Sequence, residues 1–245
     1  SYFIVIYRIV QLYEVLIAMS FQNQFTKTTT DANLMETVHH GSAEYPFRYY
    51  YENIALFDFK CIDWHWHSEL EFIYIESGNV VFDIGTVHFE LNEGNGIMIN
   101  SKILHRLQSS SDAIIPNFLF QPSFIAPQDS LIYKKYINPV ISSSLEYLVF
   151  QPDIPWQKKA LEIIKTIIAV QETEFNREII VSMSVQQLWI LLLENLTFDQ
   201  FENMGAVISR TRLQLMMQYV HAHYSENITL EDIARTANIS KSTAL

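Results

Sequence analysis

A chain of 245 residues, 49% of them hydrophobic, can bury a sizeable core in one large domain or two smaller ones, which sets disorder aside as the default. Its lone cysteine, Cys61, excludes an internal disulfide and fits a reducing compartment, so the cytoplasm is expected. A formal net charge of −11 weighs against a phosphate-binding surface spread over the whole molecule, because such surfaces need Lys and Arg.

Residues 2–21 are apolar enough to raise the question of a membrane span or a signal peptide. Arg8, Gln11 and Glu14 interrupt the run, and no basic head precedes a clean apolar stretch with a small-residue cleavage site. The segment reads as neither, and no membrane partner is expected. An amphipathic helix fits it, as does a translation start at Met19 or Met35. Residues 22–44, rich in Thr, Asn and Gln, hold no sustained period and complete an N-terminal arm spanning 1–44.

From residue 45 to 126 short aromatic and β-branched runs are punctuated by Gly and Asn. Residues 49–60, 70–76, 80–84, 87–91, 97–99, 105–109 and 117–120 read as strands, with hairpin turns expected at Gly78-Asn79 and Gly85-Thr86. Many short strands at close spacing predict a small sandwich or barrel. Within this region Asp63-Trp64-His65-Trp66-His67-Ser68-Glu69-Leu70-Glu71 stands out. Alternation along an unbroken strand would put His65, His67, Glu69, Glu71, Ile73 and Ile75 on one face. Imidazole and carboxylate are ligands that borderline and hard divalent ions accept, so the face suits a metal or a polar ligand; alternatively these groups bond one another inside a barrel. Trp64 and Trp66 fall on the opposite face as packing residues, and His39, His40, His221 and His223 read as surface or packing histidines.

Beyond Pro127 the pattern turns helical up to about residue 200. Residues 156–174 carry a broad apolar stripe that includes Leu161, Ile164 and Ile168, and residues 179–196 are apolar nearly all round. A helix of the second kind is buried on more than one side, within a helical hairpin or against a second copy of the chain. Residues 198–209 read as a connector and 211–224 as a helix. Thr229 then caps a helix with Asp232 at its third position, Asn238-Ile239-Ser240 turns, and Ser240 caps a further helix from Lys241. Small Ala234 allows close crossing, the layout of a helix-turn-helix. Residues 209–245 hold Arg210, Arg212, Arg235 and Lys241 against Glu226, Glu231 and Asp232, so the acidity of the chain lies ahead of them.

The spacing His65-x-His67-x3-Glu71-x6-Gly78 resembles the first motif of cupin barrels, and Gly94-Asn95-Gly96 followed by His105 resembles the second in weakened form. The order of barrel, helical linker and then Leu230-Glu231-Asp232-Ile233-Ala234 with Ile239-Ser240-Lys241-Ser242 resembles AraC/XylS-type transcription regulators across roughly residues 45–245. That resemblance implies an α+β chain: a cupin-like antiparallel β-barrel (45–126), a helical linker and dimerisation region (127–200), and the first, incomplete helix-turn-helix of a DNA-binding domain (201–245). It implies a small-molecule effector in the barrel, a homodimer, and DNA read by two helix-turn-helix units. The second unit would lie past Leu245, in which case this chain alone binds DNA weakly.

The effector pocket is then expected at His65, His67, Glu69, Glu71 and His105, and the DNA contacts at Lys241, Ser242 and Thr243. A divalent metal, if present, would take His65, His67, Glu71 and His105, although the resemblance implies that most such regulators hold an organic effector without metal. A metal-dependent cupin isomerase or oxygenase is the alternative, and it needs a filled metal site with an open position. A dimerising scaffold without ligand is a third reading. On the regulator reading no catalytic residue is expected.

Overall fold

A computed structural model describes residues 26–173, 175–196 and 204–244. The strands are β1 (Phe47–Asn53), β2 (Cys61–His65), β3 (Leu70–Tyr74), β4 (Asn79–Ile84), β5 (Val87–Asn92), β6 (Gly96–Ile99), β7 (His105–Gln108), β8 (Ile114–Phe120) and β9 (Tyr147–Phe150). A π turn (Tyr133–Ile137) leads into the short α1 (Asn138–Ile141), followed by α2 (Pro155–Ala169), α3 (Arg177–Asn195), α4 (Met204–His223) and α5 (Leu230–Thr236). The strands form a five-stranded sheet ordered β1-β8-β3-β6-β9 and a four-stranded sheet ordered β2-β7-β4-β5, and neighbours run antiparallel. This is the expected α+β architecture, an antiparallel barrel followed by helices.

Two apolar clusters fix the layers. Ile73, Val80, Phe82, Ile97, Ile99, Leu107 and Ile115 fill the space between the sheets. On the other side of the five-stranded sheet, Phe72, Met98, Phe118, Phe120 and Phe150 meet Leu161 and Ile164 of α2 and Val185, Leu188 and Trp189 of α3. A strand points successive side chains to opposite faces, so the central β3 sends Phe72 to the helices and Glu71 and Ile73 to the lumen. Because both faces are covered, β3 reads as a nearly continuous apolar run.

Pro155 starts α2 at a position where its missing N–H costs nothing, and Ala160, Leu161, Ile164 and Ile167 repeat the buried face of a helix. Its Leu161 seats against Gly96, where an added Cβ would stand 2.9 Å from the leucine methyl. Asn100 pins α1 and the segment after it to the end of β6, its buried amide donating to the carbonyls of Val140 (3.0 Å) and Leu145 (2.7 Å).

Five expectations need correction. Residues 49–60 are not one strand. Asn53 Oδ1 accepts from Ala55 N–H, a local bond that competes with the ladder, and two 3-10 turns (Ile54–Leu56 and Asp58–Lys60) carry the chain into the other sheet. Gly85-Thr86 does close the two-residue β4–β5 hairpin, but Gly78-Asn79 joins strands of different sheets. Gly78 is required there by its φ of +82° and because a Cβ would fall 2.5 Å from the Asp112 carbonyl oxygen. The helical region of 127–200 also donates a strand, since β9 pairs with β6 from Gly96↔Phe150 to Ile99↔Tyr147. Finally, residues 241–243 form a turn and not yet a helix, while α4 begins at Met204, inside the expected connector. The readings for residues 2–21 and 198–203 lie outside the described residues.

In the C-terminal pair the capping box is present: Thr229 Oγ1 accepts from Asp232 N–H, and the Asp232 carboxylate accepts from Thr229 N–H at 3.1 Å. Ala234 in α5 and Ala237, which caps its end, are buried, as close crossing against α4 requires. Among the described residues no helix is long and apolar enough to cross a membrane.

Candidate functional site

The histidine stretch does not run as one strand. β2 ends at His65 after a register shift between Ile62 and His65, residues 66–69 form a connector, and β3 restarts at Leu70. Both sides of the connector are tied down. Trp66 N–H donates to Leu34 O of the arm at 3.0 Å, and Lys102 N–H donates to His67 O at 2.8 Å. So held, His67 folds back beside His65, and Glu71 rises from β3 beneath both. His105 enters from β7 as the register partner of His65. The ring centroids of His65 and His105 lie 4.1 Å apart, and those of His67 and His105 lie 5.2 Å apart.

All three imidazoles are buried, and each turns Nδ1 to a backbone carbonyl: His65 to Asp63 O (2.7 Å), His67 to Glu69 O (3.3 Å) and His105 to Ile103 O (2.8 Å). A carbonyl only accepts, so Nδ1 carries the hydrogen, and in the neutral ring Nε2 is left as a lone pair. The three rings offer ligand atoms within 4.8 Å of one another. Glu71 Oε2 lies 3.4 Å from His67 Nε2 and 3.2 Å from His105 Nε2. His105 Nε2 is buried and makes no hydrogen bond among the described residues. Lone pairs thus face a carboxylate oxygen, an arrangement that calls for a proton on an imidazole or a cation between them. Carbonyl-oriented imidazoles with one carboxylate are a donor set that fits a divalent ion.

The electrostatics follow from burial. Desolvation pushes the His65 imidazole down to about 3, helped by neighbouring His105, so the ring stays neutral through the physiological range. Burial alone would raise the Glu71 carboxyl, but His105 and His67 outweigh it and hold the group well below the usual carboxylate range. Glu52, across the lumen, is pushed up to about 8, chiefly by desolvation; Asn117 Nδ2 donates to it at 2.7 Å and opposes the shift.

Sequence reading missed the lid. Arm residues Glu36 and His40 close over the cluster, with His40 Nε2 3.0 Å from Glu36 Oε2 and His40 Nδ1 2.9 Å from Tyr50 Oη. His40 also meets His67 edge to face at 5.7 Å. Of the surface and packing roles expected for it, His40 takes the buried one, in the wall of the site. Nothing in the aperiodic arm marks it. The alternation Arg48, Tyr50, Glu52 against Phe47, Tyr49, Tyr51 in β1 does mark Tyr50 and Glu52 as lumenal. The cavity lined by these groups with His65 and Glu71 measures about 40 Å³. At about 10–15 Å³ per water this holds an ion or a few waters, against roughly 300–1,000 Å³ for an organic ligand site.

Of the expected pocket residues, His65, His67, Glu71 and His105 come together. Glu69 lies behind His67, its Oε2 3.8 Å from His67 Nδ1 and its Oε1 accepting from Gln121 Nε2 at 2.5 Å. Lys241, Ser242 and Thr243 are exposed on the turn after α5, and the Ser240 hydroxyl lies within hydrogen-bond reach of those of Ser242 and Thr243.

Residues 57–127 match the family described as AraC-like ligand binding domain. Over 219 residues, 86% of this chain and 73% of the other, the sequence is 33% identical to YdeC of Bacillus subtilis (strain 168), described as an uncharacterised HTH-type transcriptional regulator. Among solved structures, a lysine-to-alanine variant of apo ToxT from Vibrio cholerae strain SCE256 is similar over 83% of this chain and 74% of that one, at 9% identity and a TM-score of 0.42. A cupin-2 domain protein from Shewanella frigidimarina is similar over 30% of this chain and 69% of its own, at 14% identity and a TM-score of 0.27.

Proposed function

The chain belongs to the HTH-type transcriptional regulators of the AraC kind, ligand-responsive proteins, and from that premise we propose that occupancy of the barrel is passed to the DNA-binding helices through the arm. One observation carries this reading. The carbonyl oxygen of Asn33 accepts from Trp66 Nε1 at 2.8 Å and from Gln218 Nε2 of α4 at 2.9 Å. Trp66 sits between His65 and His67, so a change at the imidazoles displaces the same backbone oxygen that holds α4. Lys241, Ser242 and Thr243 are the DNA-facing residues of this reading, and its setting is the cytoplasm, where DNA and a reduced Cys61 are both found. Chromatin immunoprecipitation from the native host is expected to recover discrete promoter-proximal sites; uniform background across the chromosome would sink the proposal.

The lumen is read as the effector site, and the imidazole–carboxylate cluster as its floor. His65, His67, His105 and Glu71 would hold a divalent ion there. Such an ion supplies the positive charge that the Glu71 carboxylate and the inward lone pairs lack. With Glu36 and His40 in place the cavity of about 40 Å³ admits an ion and no larger guest, substrate or effector. A larger organic effector requires Glu36 and His40 to move aside.

The functional unit is read as a homodimer. In α3 the side facing away from the barrel carries Ile179, Met183, Gln186, Ile190 and Leu193, a four-three spacing that forms a seam for a second helix. Ile179, Met183 and Ile190 are exposed, beside an apolar groove of about 1,060 Å³ that reaches Ile132 and Tyr136. The double variant Met183→Glu with Ile190→Glu is expected to sediment as a monomer at a concentration where the native chain is dimeric. Unchanged sedimentation would remove this face from the interface.

A further inference from the structure

The helix-facing side of the five-stranded sheet is laid out in registered rows. Phe47, Phe120 and Leu70 form one row, and Tyr49, Phe118 and Phe72 the next. Tyr51 and Tyr74 follow two residues further along their strands on the same face. Beside the last turn of α2 an open groove of about 450 Å³ remains, walled by Tyr49, Tyr51, Tyr74, Glu76, Lys165 and Glu172 over Ile168 and Ala169. It lies outside the barrel lumen, and the regulator reading makes no use of it.

Two features give this groove a preference for positive charge. Aromatic faces carry negative potential and attract cations. Two carboxylates, Glu76 and Glu172, stand on its walls, and Tyr51 Oη donates to Glu76 Oε2, which fixes that carboxylate in place. The chain already demonstrates the preference, because the Lys165 ammonium sits 4.7 Å from the centroid of the Tyr74 ring. Lys165 is exposed on a long stem, a tethered occupant that another cation can replace.

We propose that this groove binds an organic cation of the quaternary or alkylated ammonium class, which takes the place of the Lys165 ammonium over Tyr74. A weakly hydrated, apolar-clad cation matches tyrosine faces, whereas hard metal ions seek shells of oxygen. Its volume admits a small ligand of this type.

The test is calorimetric titration of the full chain with choline and with 3,3-dimethylbutan-1-ol, which has the same shape without the charge. Choline is expected to bind at least about tenfold more tightly than the alcohol. Tyr74→Ala should weaken choline binding severalfold. Lys165→Ala, a change at an exposed position that leaves the fold intact, should tighten it severalfold because the internal competitor is gone. Equal affinity for the two probes, no heat with choline, or weaker binding in Lys165→Ala each overturns the proposal. No DNA enters the measurement, so its failure leaves the regulator reading standing, and loss of promoter recovery leaves the cation result standing.

Discussion

Replacing His105 by alanine is expected to lower affinity for Zn²⁺ by more than about 100-fold, read by titration into protein stripped of metal. Groups that merely orient a metal ligand typically cost about 10–100-fold when removed, and His105 is placed as a ligand itself. Its Nδ1 is spent on Ile103 O, its Nε2 is buried without a hydrogen bond, and Glu71 Oε2 stands 3.2 Å away. The same geometry admits a different occupant, a proton on His105 paired with Glu71. In that case the native chain takes up no Zn²⁺, Mn²⁺ or Co²⁺, and His105→Ala instead loses about 3–5 kcal/mol of stability by abandoning a buried carboxylate. That outcome would remove the metal from the regulator and keep the ion pair as the floor of the lumen.

Phe72→Ala is expected to destabilise the fold by about 3–5 kcal/mol, the range for deleting a fully buried aromatic ring. Phe72 is 1% exposed and stacks near parallel on Phe118 at 5.3 Å, Phe120 at 5.8 Å and Phe150 at 6.3 Å. Strand β8, through Phe118 and Phe120, and the late β9, through Phe150, converge on this one ring of β3, so no single neighbour can collapse into the space it leaves. Phe59 provides the contrast, being 99% exposed, and Phe59→Ala should stay within about 0.5 kcal/mol. Urea unfolding of the two variants gives the comparison. A loss below about 1 kcal/mol for Phe72→Ala would mean that the aromatic rows do not carry the barrel–helix interface.

Local pattern revealed most of the barrel. Short aromatic and β-branched runs bounded by Gly and Asn marked β4 to β8, and Gly85-Thr86 marked its hairpin, because each signal sits within a few residues of its effect. What escaped was set by partners distant in sequence. β9 is four residues in a helical neighbourhood and becomes a strand only by completing the edge beside β6. The break at residues 66–69 depends on Leu34 and Lys102, which no periodicity connects to it. His65, His67, Glu71 and His105 nonetheless meet, because the connector returns the chain to the lumen that alternation assigned them. Glu36 and His40 could not be foreseen, since an arm without period announces no docking surface.

The seven residues of β1 carry two messages in alternate letters. Odd positions, Phe47, Tyr49 and Tyr51, serve the helix side, and even positions such as Tyr50 and Glu52 serve the lumen. Substitution can retune one cavity while sparing the other, so the two sites are free to diverge separately. An inserted or deleted residue after Arg48 would exchange the messages, turning Glu52 toward the apolar helix layer and the tyrosines into the lumen. Length variation among relatives should therefore gather in the two turns after Asn53, around exposed Phe59, and leave β1 at a fixed count.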